Sequence, residues 1–140
     1  MLSILIPTYN YDCYDLVKEL HRQATELNIE FEIIVADDSS TLNIENNKKI
    51  DTLSHAIYIK LNNNIGRSKI RNLLADKATY PYLIFIDCDA EVCSKNYICE
   101  YLKYCTPNCC VVGGTAYDKK ENNPQYSLRL KYGRLREGNQ

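Results

Sequence analysis

The sequence predicts an α/β fold, a mainly parallel sheet with helices on both faces. Three observations predict it. Short apolar runs rich in Ile, Val and Tyr alternate with segments of helical spacing, the pattern of parallel strands joined by crossover helices. One run, Tyr82-Leu83-Ile84-Phe85-Ile86, is unbroken, as expected of a strand buried on both faces. The polar residues able to do chemistry collect just after these runs, where the carboxyl ends of parallel strands form a ligand crevice.

The elements follow in order. Leu2 to Ile6 reads as a first strand, ended by Pro7 and a polar, aromatic loop, Thr8-Tyr9-Asn10-Tyr11-Asp12. Tyr14, Val17, Leu20, His21, Ala24 and Leu27 then recur at helical spacing, with Asp12 placed to cap the helix. His21 lies on the apolar face and reads as a packed histidine rather than a ligand. Phe31 to Val35 is a second strand, ending in Ala36-Asp37-Asp38-Ser39-Ser40-Thr41. A weaker helix spans about Leu42 to Leu53, and Ala56 to Leu61 is a third strand. The Asn-rich turn 62–66 leads to a helix marked by Ile65, Ile70, Leu73, Leu74 and Ala78, with Arg67, Lys69 and Arg71 in its first half. Pro81 separates it from the fourth strand, Tyr82 to Ile86. Ser94 is placed to cap a helix carrying Tyr97, Ile98, Tyr101, Leu102 and Cys105, and Cys109 to Val112 reads as a fifth strand closed by Gly113-Gly114. Beyond Tyr117 the chain turns polar, and Tyr126 to Leu130 alternates as an exposed edge strand would.

Composition excludes several classes. The chain has 140 residues, 45% hydrophobic and 25% charged, enough for one domain with a real core and too apolar for disorder. A formal net charge of −1 provides no basic field for nucleic acid. No apolar run approaches the roughly 20 residues of a membrane span, and Met1 to Pro7 lacks the features of a signal peptide. Seven cysteines lack zinc-type pairing and read as reduced thiols, which points to a cytoplasmic protein, with attachment to the inner face of a membrane left open.

Three strand ends carry the functional signal: Pro7-Thr8-Tyr9-Asn10, Asp37-Asp38 and Asp87-Cys88-Asp89. Each alone is an ordinary turn or cap; together they converge on one edge of a parallel sheet. Asp87 and Asp89, two apart in an extended segment, would face the same way. Two converging carboxylates repel unless a cation lies between them, and acids with water and phosphate oxygens suit Mg2+ or Mn2+. Gly66-Arg67-Ser68-Lys69-Ile70-Arg71 opens a helix with cations that oppose its dipole, a cost that a bound anion would offset. Metal on one side and guanidinium on the other suits a diphosphate.

These residues carry a resemblance. The segments 3–10, Glu32 to Ser40, Asn63 to Asn72, and Phe85 to Asp89 keep the order and approximate spacing of the family 2 glycosyltransferases, of GT-A (Rossmann-like) fold, and the set covers residues 2–114. The resemblance implies a nucleotide-sugar-binding core over residues 1–116 and a polar tail, 117–140, leading toward an acceptor-binding part. It implies that Pro7, Thr8 and Tyr9 line the nucleotide pocket, with Tyr9 against the base, and that one or both of Asp37 and Asp38 hydrogen-bond the base, typically uracil. Gly66, Arg67 and Arg71 would lie near ribose and diphosphate, with Cys88 between the two acids of the Asp-x-Asp motif. Asp89 would bind Mg2+ or Mn2+ directly and Asp87 would contact ribose or a metal-bound water. The implied reaction moves a sugar from a nucleoside-diphosphate donor, most simply a UDP-sugar, to the hydroxyl of a saccharide or lipid-linked acceptor, usually with inversion.

The sequence departs from the family at two points. Ser39 stands where the family's Asp-Asp-Gly-Ser has glycine, and family domains usually run well past 140 residues, with the general base in the later part. Asp118, Glu121 and Glu137 are the acids after Gly114, none in a convincing setting, and Glu91 reads as a residue behind the metal site. The expectation is therefore the donor-binding part of a longer enzyme, with a tail able to pair with a second chain. The alternatives are a nucleotide-sugar-binding fragment without transfer, a phosphoryl-receiver domain, and a nucleotidyltransferase. A receiver would need its acids after the first strand and a lysine after the fifth. A nucleotidyltransferase would need a basic, glycine-rich loop after the first.

Overall fold

The structure is a computed structural model and describes residues 1–114, 127–133 and 135. Four parallel strands form its sheet: β1 (Leu2–Thr8), β2 (Phe31–Asp37), β3 (Ala56–Lys60) and β4 (Tyr82–Phe85), in the order β3-β2-β1-β4. β1 pairs with β2 from Leu2↔Phe31 to Thr8↔Asp37, so these two strands end level. The helices of the first compact unit, Met1–Lys103, are α1 (Tyr14–Glu26), α2 (Ile44–Asn47) followed by a 3-10 turn (Lys48–Thr52), α3 (Arg67–Lys77) and α4 (Tyr97–Leu102).

Strand alternation builds two cores. Leu2, Ile4 and Ile6 of β1 and Phe31, Ile33 and Val35 of β2 face Leu16, Val17, Leu20 and Ala24 of α1, Ile50 of the 3-10 turn and Ile98 of α4. Leu5, Ile34 and Ala36 face Ile70 and Leu74 of α3. Helices thus cover both faces, as the sequence predicts. The segment expected as one weak helix after Leu42 is a short α-helix continued as a 3-10 turn.

Polar groups fix where the elements begin. Asp12 sits one position before the N-cap of α1, and its Oδ1 accepts the Tyr14 N–H at 3.1 Å. The fully buried Asn47 holds the same helix start from α2: its Oδ1 accepts the Cys13 N–H at 3.0 Å and its Nδ2 donates to the Tyr11 carbonyl at 2.8 Å. His21 packs edge-on against Phe31 and hydrogen-bonds the Ser54 carbonyl at 2.9 Å. Ser94 is not the cap of α4; its Oγ accepts the N–H of Asn96, the N-cap residue, at 3.2 Å. Ser39 has φ +67°, the left-handed conformation that glycine adopts most readily, and its Oγ donates to the Asn62 carbonyl at 3.2 Å.

Three expectations are corrected. β4 is not buried on both faces: Ile84 is, but Leu83 and Phe85 are each 41% exposed. They lie on the α3 face, in register with Ser3 and Leu5, while α3 packs over β1 and β2. An apolar run reports affinity for a core, not how far the covering helix reaches. Cys109 to Val112 belongs to a second compact unit, Tyr104–Gln140, and forms no strand; a short β-prone run supplies local preference without a pairing partner. Within that unit Ser127–Tyr132 is a helix, α5, rather than an edge strand, in keeping with the helix-forming Leu, Arg and Lys that fill it. The expected boundary near 116, the polar loop 118–124 and the acids Asp118, Glu121 and Glu137 lie outside the described residues.

Two stability measurements test these assignments. In urea unfolding, Leu74→Ala, under α3, should cost about 2–5 kcal/mol, whereas Leu83→Ala on the open face should cost about 1 kcal/mol or less. Ser39→Gly should change stability by no more than about 1 kcal/mol, because relief of left-handed strain offsets the lost hydrogen bond. Ser39→Val, which keeps the strain and loses the bond, should be clearly destabilised.

Candidate functional site

The level ends of β1 and β2 open into two loops that are tied to each other. The Asp38 N–H donates to the Thr8 carbonyl at 2.9 Å, continuing the ladder one step beyond the strands. Asn10, at φ +53°, donates its N–H to Ser40 Oγ at 2.7 Å, and its own Oδ1 accepts the Thr41 N–H at 2.8 Å and the Leu42 N–H at 3.2 Å. Thr8 Oγ1 donates to the Tyr11 carbonyl at 3.2 Å. These bonds hold Tyr9 and Tyr11 at the surface, 55% and 45% exposed, as ring faces beside the strand ends.

The two acids at the end of β2 point in opposite directions. Asp37 is fully buried; its Oδ1 accepts the Ser40 N–H at 2.7 Å and its Oδ2 accepts the Tyr58 hydroxyl. Asp38 faces the crevice, where Oδ1 accepts the Ile65 N–H at 2.7 Å and Oδ2 the Gly66 N–H at 2.9 Å. A carboxylate has about four acceptor positions, so Asp38 keeps capacity for a ligand donor. Its grip also sets the start of α3. Gly66, the N-cap residue of α3, has φ +86° and ψ 162°. A Cβ there would meet nothing within 4 Å, so the backbone angle rather than space calls for glycine.

α3 aims its N-terminus and two guanidinium groups at the turn after β4. Arg67 Nη2 lies 3.4 Å from Asp87 Oδ2, and Arg71 pairs closely with Asp87 Oδ1. Both arginines thus lean toward one carboxylate that is itself half exposed. The Ala90 N–H donates to the Asp87 carbonyl at 3.0 Å, so Asp87-Cys88-Asp89-Ala90 is a tight turn. The extended i, i+2 geometry expected for the two acids is therefore absent. Asp87 is held by arginines, whereas no described side chain pairs with Asp89.

These groups line one cleft of about 440 Å3. Among the residues singled out from the sequence, Pro7, Thr8, Tyr9, Asp38, Gly66, Arg67, Arg71, Asp87, Cys88 and Asp89 all reach it; Asp37 does not, lying under its floor. Tyr11, Asn64 and Ile70 also line it and were not anticipated. Asn64 could have been suspected from its turn, since its Nδ2 donates to the Asp38 carbonyl at 3.1 Å. Beneath the cleft, burial and then the nearby Cys88 push the Cys13 thiol up to about 12, so it stays protonated at neutral pH. None of the seven cysteines, all among the described residues, is joined in a disulfide.

The described residues contain no cluster of three or more His, Cys, Asp or Glu able to hold a metal by themselves. A single cleft carboxylate such as Asp89 still suits a hard cation that takes its remaining oxygens from phosphate and water. Among the described residues no helix is long and apolar enough to cross a membrane.

Comparison with known proteins identifies the family and the fold. The profile described as Glycosyl transferase family 2 matches residues 3–140. TuaG of Bacillus subtilis (strain 168), assigned as a teichuronic acid biosynthesis glycosyltransferase, is 26% identical over 121 residues, covering 84% of this chain and 46% of its own. The teichoic acid poly(glycerol phosphate) polymerase of Staphylococcus epidermidis (strain ATCC 35984 / DSM 28319 / BCRC 17069 / CCUG 31568 / BM 3577 / RP62A) is 28% identical over 101 residues, covering 66% of this chain and 13% of its own. This chain therefore spans less than half the length of these curated relatives. S. aureus TarS 1–349 in complex with UDP-GlcNAc superposes with a TM-score of 0.62 at 27% identity, over 74% of this chain and 31% of that one. With its parallel sheet, its crevice at the strand ends and a family match along nearly its whole length, the chain belongs to glycosyl transferase family 2.

Proposed function

We propose that this chain binds the nucleotide-sugar donor of a metal-dependent glycosyltransferase, with a UDP-sugar as the donor class. One observation carries the reading: an exposed tyrosine ring, an acceptor carboxylate, a helix N-terminus with two arginines and a carboxylate that no described side chain pairs share one cleft of about 440 Å3. That volume falls within the roughly 300–1,000 Å3 usual for small-molecule sites. The complex of TarS with UDP-GlcNAc supports the choice of donor class.

In this reading the base stacks on Tyr9 and gives an N–H to Asp38. The diphosphate lies at the start of α3, where the helix dipole and Arg67 and Arg71 favour anions. Surface ion pairs contribute about 0–1 kcal/mol each, so a diphosphate competes readily with Asp87 for the arginines. Asp89 would hold Mg2+ or Mn2+, with Asp87 directed toward the ribose or the metal's hydration. The metal, when bound, neutralises charge on the departing diphosphate. An acceptor hydroxyl forms a bond to the anomeric carbon as the carbon–diphosphate bond breaks, inverting that centre. The acceptor's proton passes to a base, and none of the three cleft acids, each with a donor-side role, is assigned that task.

The relatives' assignments to teichoic and teichuronic acid synthesis support an acceptor that is a growing saccharide or a lipid-linked chain, within polysaccharide biosynthesis. A cytoplasmic location goes with the nucleotide-sugar donor. Residues 1–116 are proposed as the donor-binding core.

Calorimetry with UDP and Mn2+ tests the reading: binding should be saturable and at least about tenfold weaker without metal. Asp89→Ala should remove that metal dependence while leaving weak UDP binding. Failure to bind any nucleoside diphosphate would overturn the proposal.

A further inference from the structure

A buried carboxylate is costly unless its oxygens are hydrogen-bonded. Asp37 is fully buried, and the donors it accepts from among the described residues are both neutral: the Ser40 N–H and the Tyr58 hydroxyl. Nothing in the sequence flags Tyr58, which sits inside β3 two residues before the position paired with Asp37. It projects on the same sheet face as Val35 and Asp37, and its ring runs along that face to reach the carboxylate.

Tyr58 is itself anchored. Its N–H donates to Asp51 Oδ1 of the 3-10 turn at 2.8 Å, and its side chain belongs to the core under α1. Burial and the Asp37 carboxylate both push its hydroxyl well above the ordinary range, so it remains a donor. The chain of bonds then runs toward the cleft. Asp37 closes the turn 37–40 by holding the Ser40 N–H; Ser40 Oγ accepts the Asn10 N–H beside Tyr9; Asp38 lies inside the same turn and faces the cleft.

We propose that Tyr58 and Asp37 are positioning residues for nucleobase recognition: the buried phenol–carboxylate pair holds the 37–40 turn and so aims Asp38 at the base. Tyr58 touches no ligand in this scheme and acts only through Asp37. The proposal rests on the donor-site reading above and adds to it the residues that set base selectivity.

The test is a double-mutant cycle on the full chain. UDP and CDP affinities are measured with Mn2+ for wild type, Tyr58→Phe, Asp38→Asn and the double variant, with thermal melts alongside. Cytosine presents an acceptor at N3 where uracil presents an N–H, so the pair of ligands reports on the base alone. Tyr58→Phe should reduce the preference for UDP over CDP by about tenfold and add nothing in the Asp38→Asn background, the non-additivity expected of coupled neighbours. Equal losses for UDP and CDP, or losses that multiply independently of Asp38, would overturn the inference and leave the donor site standing. Wild-type protein that binds neither ligand would overturn the donor-site reading itself. If Tyr58→Phe does not fold, Asp37→Asn keeps a carbonyl oxygen for the Ser40 N–H and serves in the same cycle with the same two outcomes.

Discussion

The parallel register of β1 on β2 is the constraint on which the rest depends. Because Leu2 pairs with Phe31 and Thr8 with Asp37, the two strands stop at the same level and their loops meet. The next hydrogen bond, from the Asp38 N–H to the Thr8 carbonyl, ties the two loops together just beyond the strand ends. A slip of one residue would reverse which of Asp37 and Asp38 faces the interior, since side chains alternate along a strand. The buried tie from Asp37 to Tyr58 and the cleft ties from Asp38 to Ile65 and Gly66 both require the observed register.

The site is also balanced electrostatically. Three acids and two arginines share an open cleft, and the described contacts distribute them unevenly. Asp38 is satisfied by backbone N–H groups, Asp87 by the two guanidinium groups, and Asp89 by no described side chain. Such a cleft offers one side to a cation and the other to an anion, the complement of a metal-bound diphosphate. The arginines oppose the dipole at the start of α3, a local cost consistent with a helix terminus shaped for a ligand rather than for its own stability.

Much of this was legible in the sequence because it depends on alternation. The order of strands and helices through β4, the two-sided core, the placement of Tyr9, Asp38 and Asp89 at strand ends and that of Arg67 and Arg71 in the first half of α3 follow from apolar runs and what comes after them. Other features were not legible because they depend on partners. Whether Leu83 and Phe85 are covered depends on the reach of α3, and whether Cys109 to Val112 pairs depends on a neighbour. Asp37 and Asp38 look equivalent in sequence, and only the register and the Tyr58 hydroxyl separate them. The Asp87–Ala90 turn replaced an extended segment because one hydrogen bond beyond the end of β4 closes it. Asn47, a surface-type residue on a weak helix, gave no sign that it caps α1 from within the core.

A crystal structure of the chain with UDP and Mn2+, with anomalous scattering used to locate the metal, tests the proposed donor site most directly. The manganese signal should be bonded to Asp89 and to diphosphate oxygens, with the diphosphate at the start of α3 near Arg67 and Arg71, and uracil stacked on Tyr9 with its N3–H toward Asp38. A manganese site away from Asp89, or a nucleotide bound outside this cleft, would contradict it.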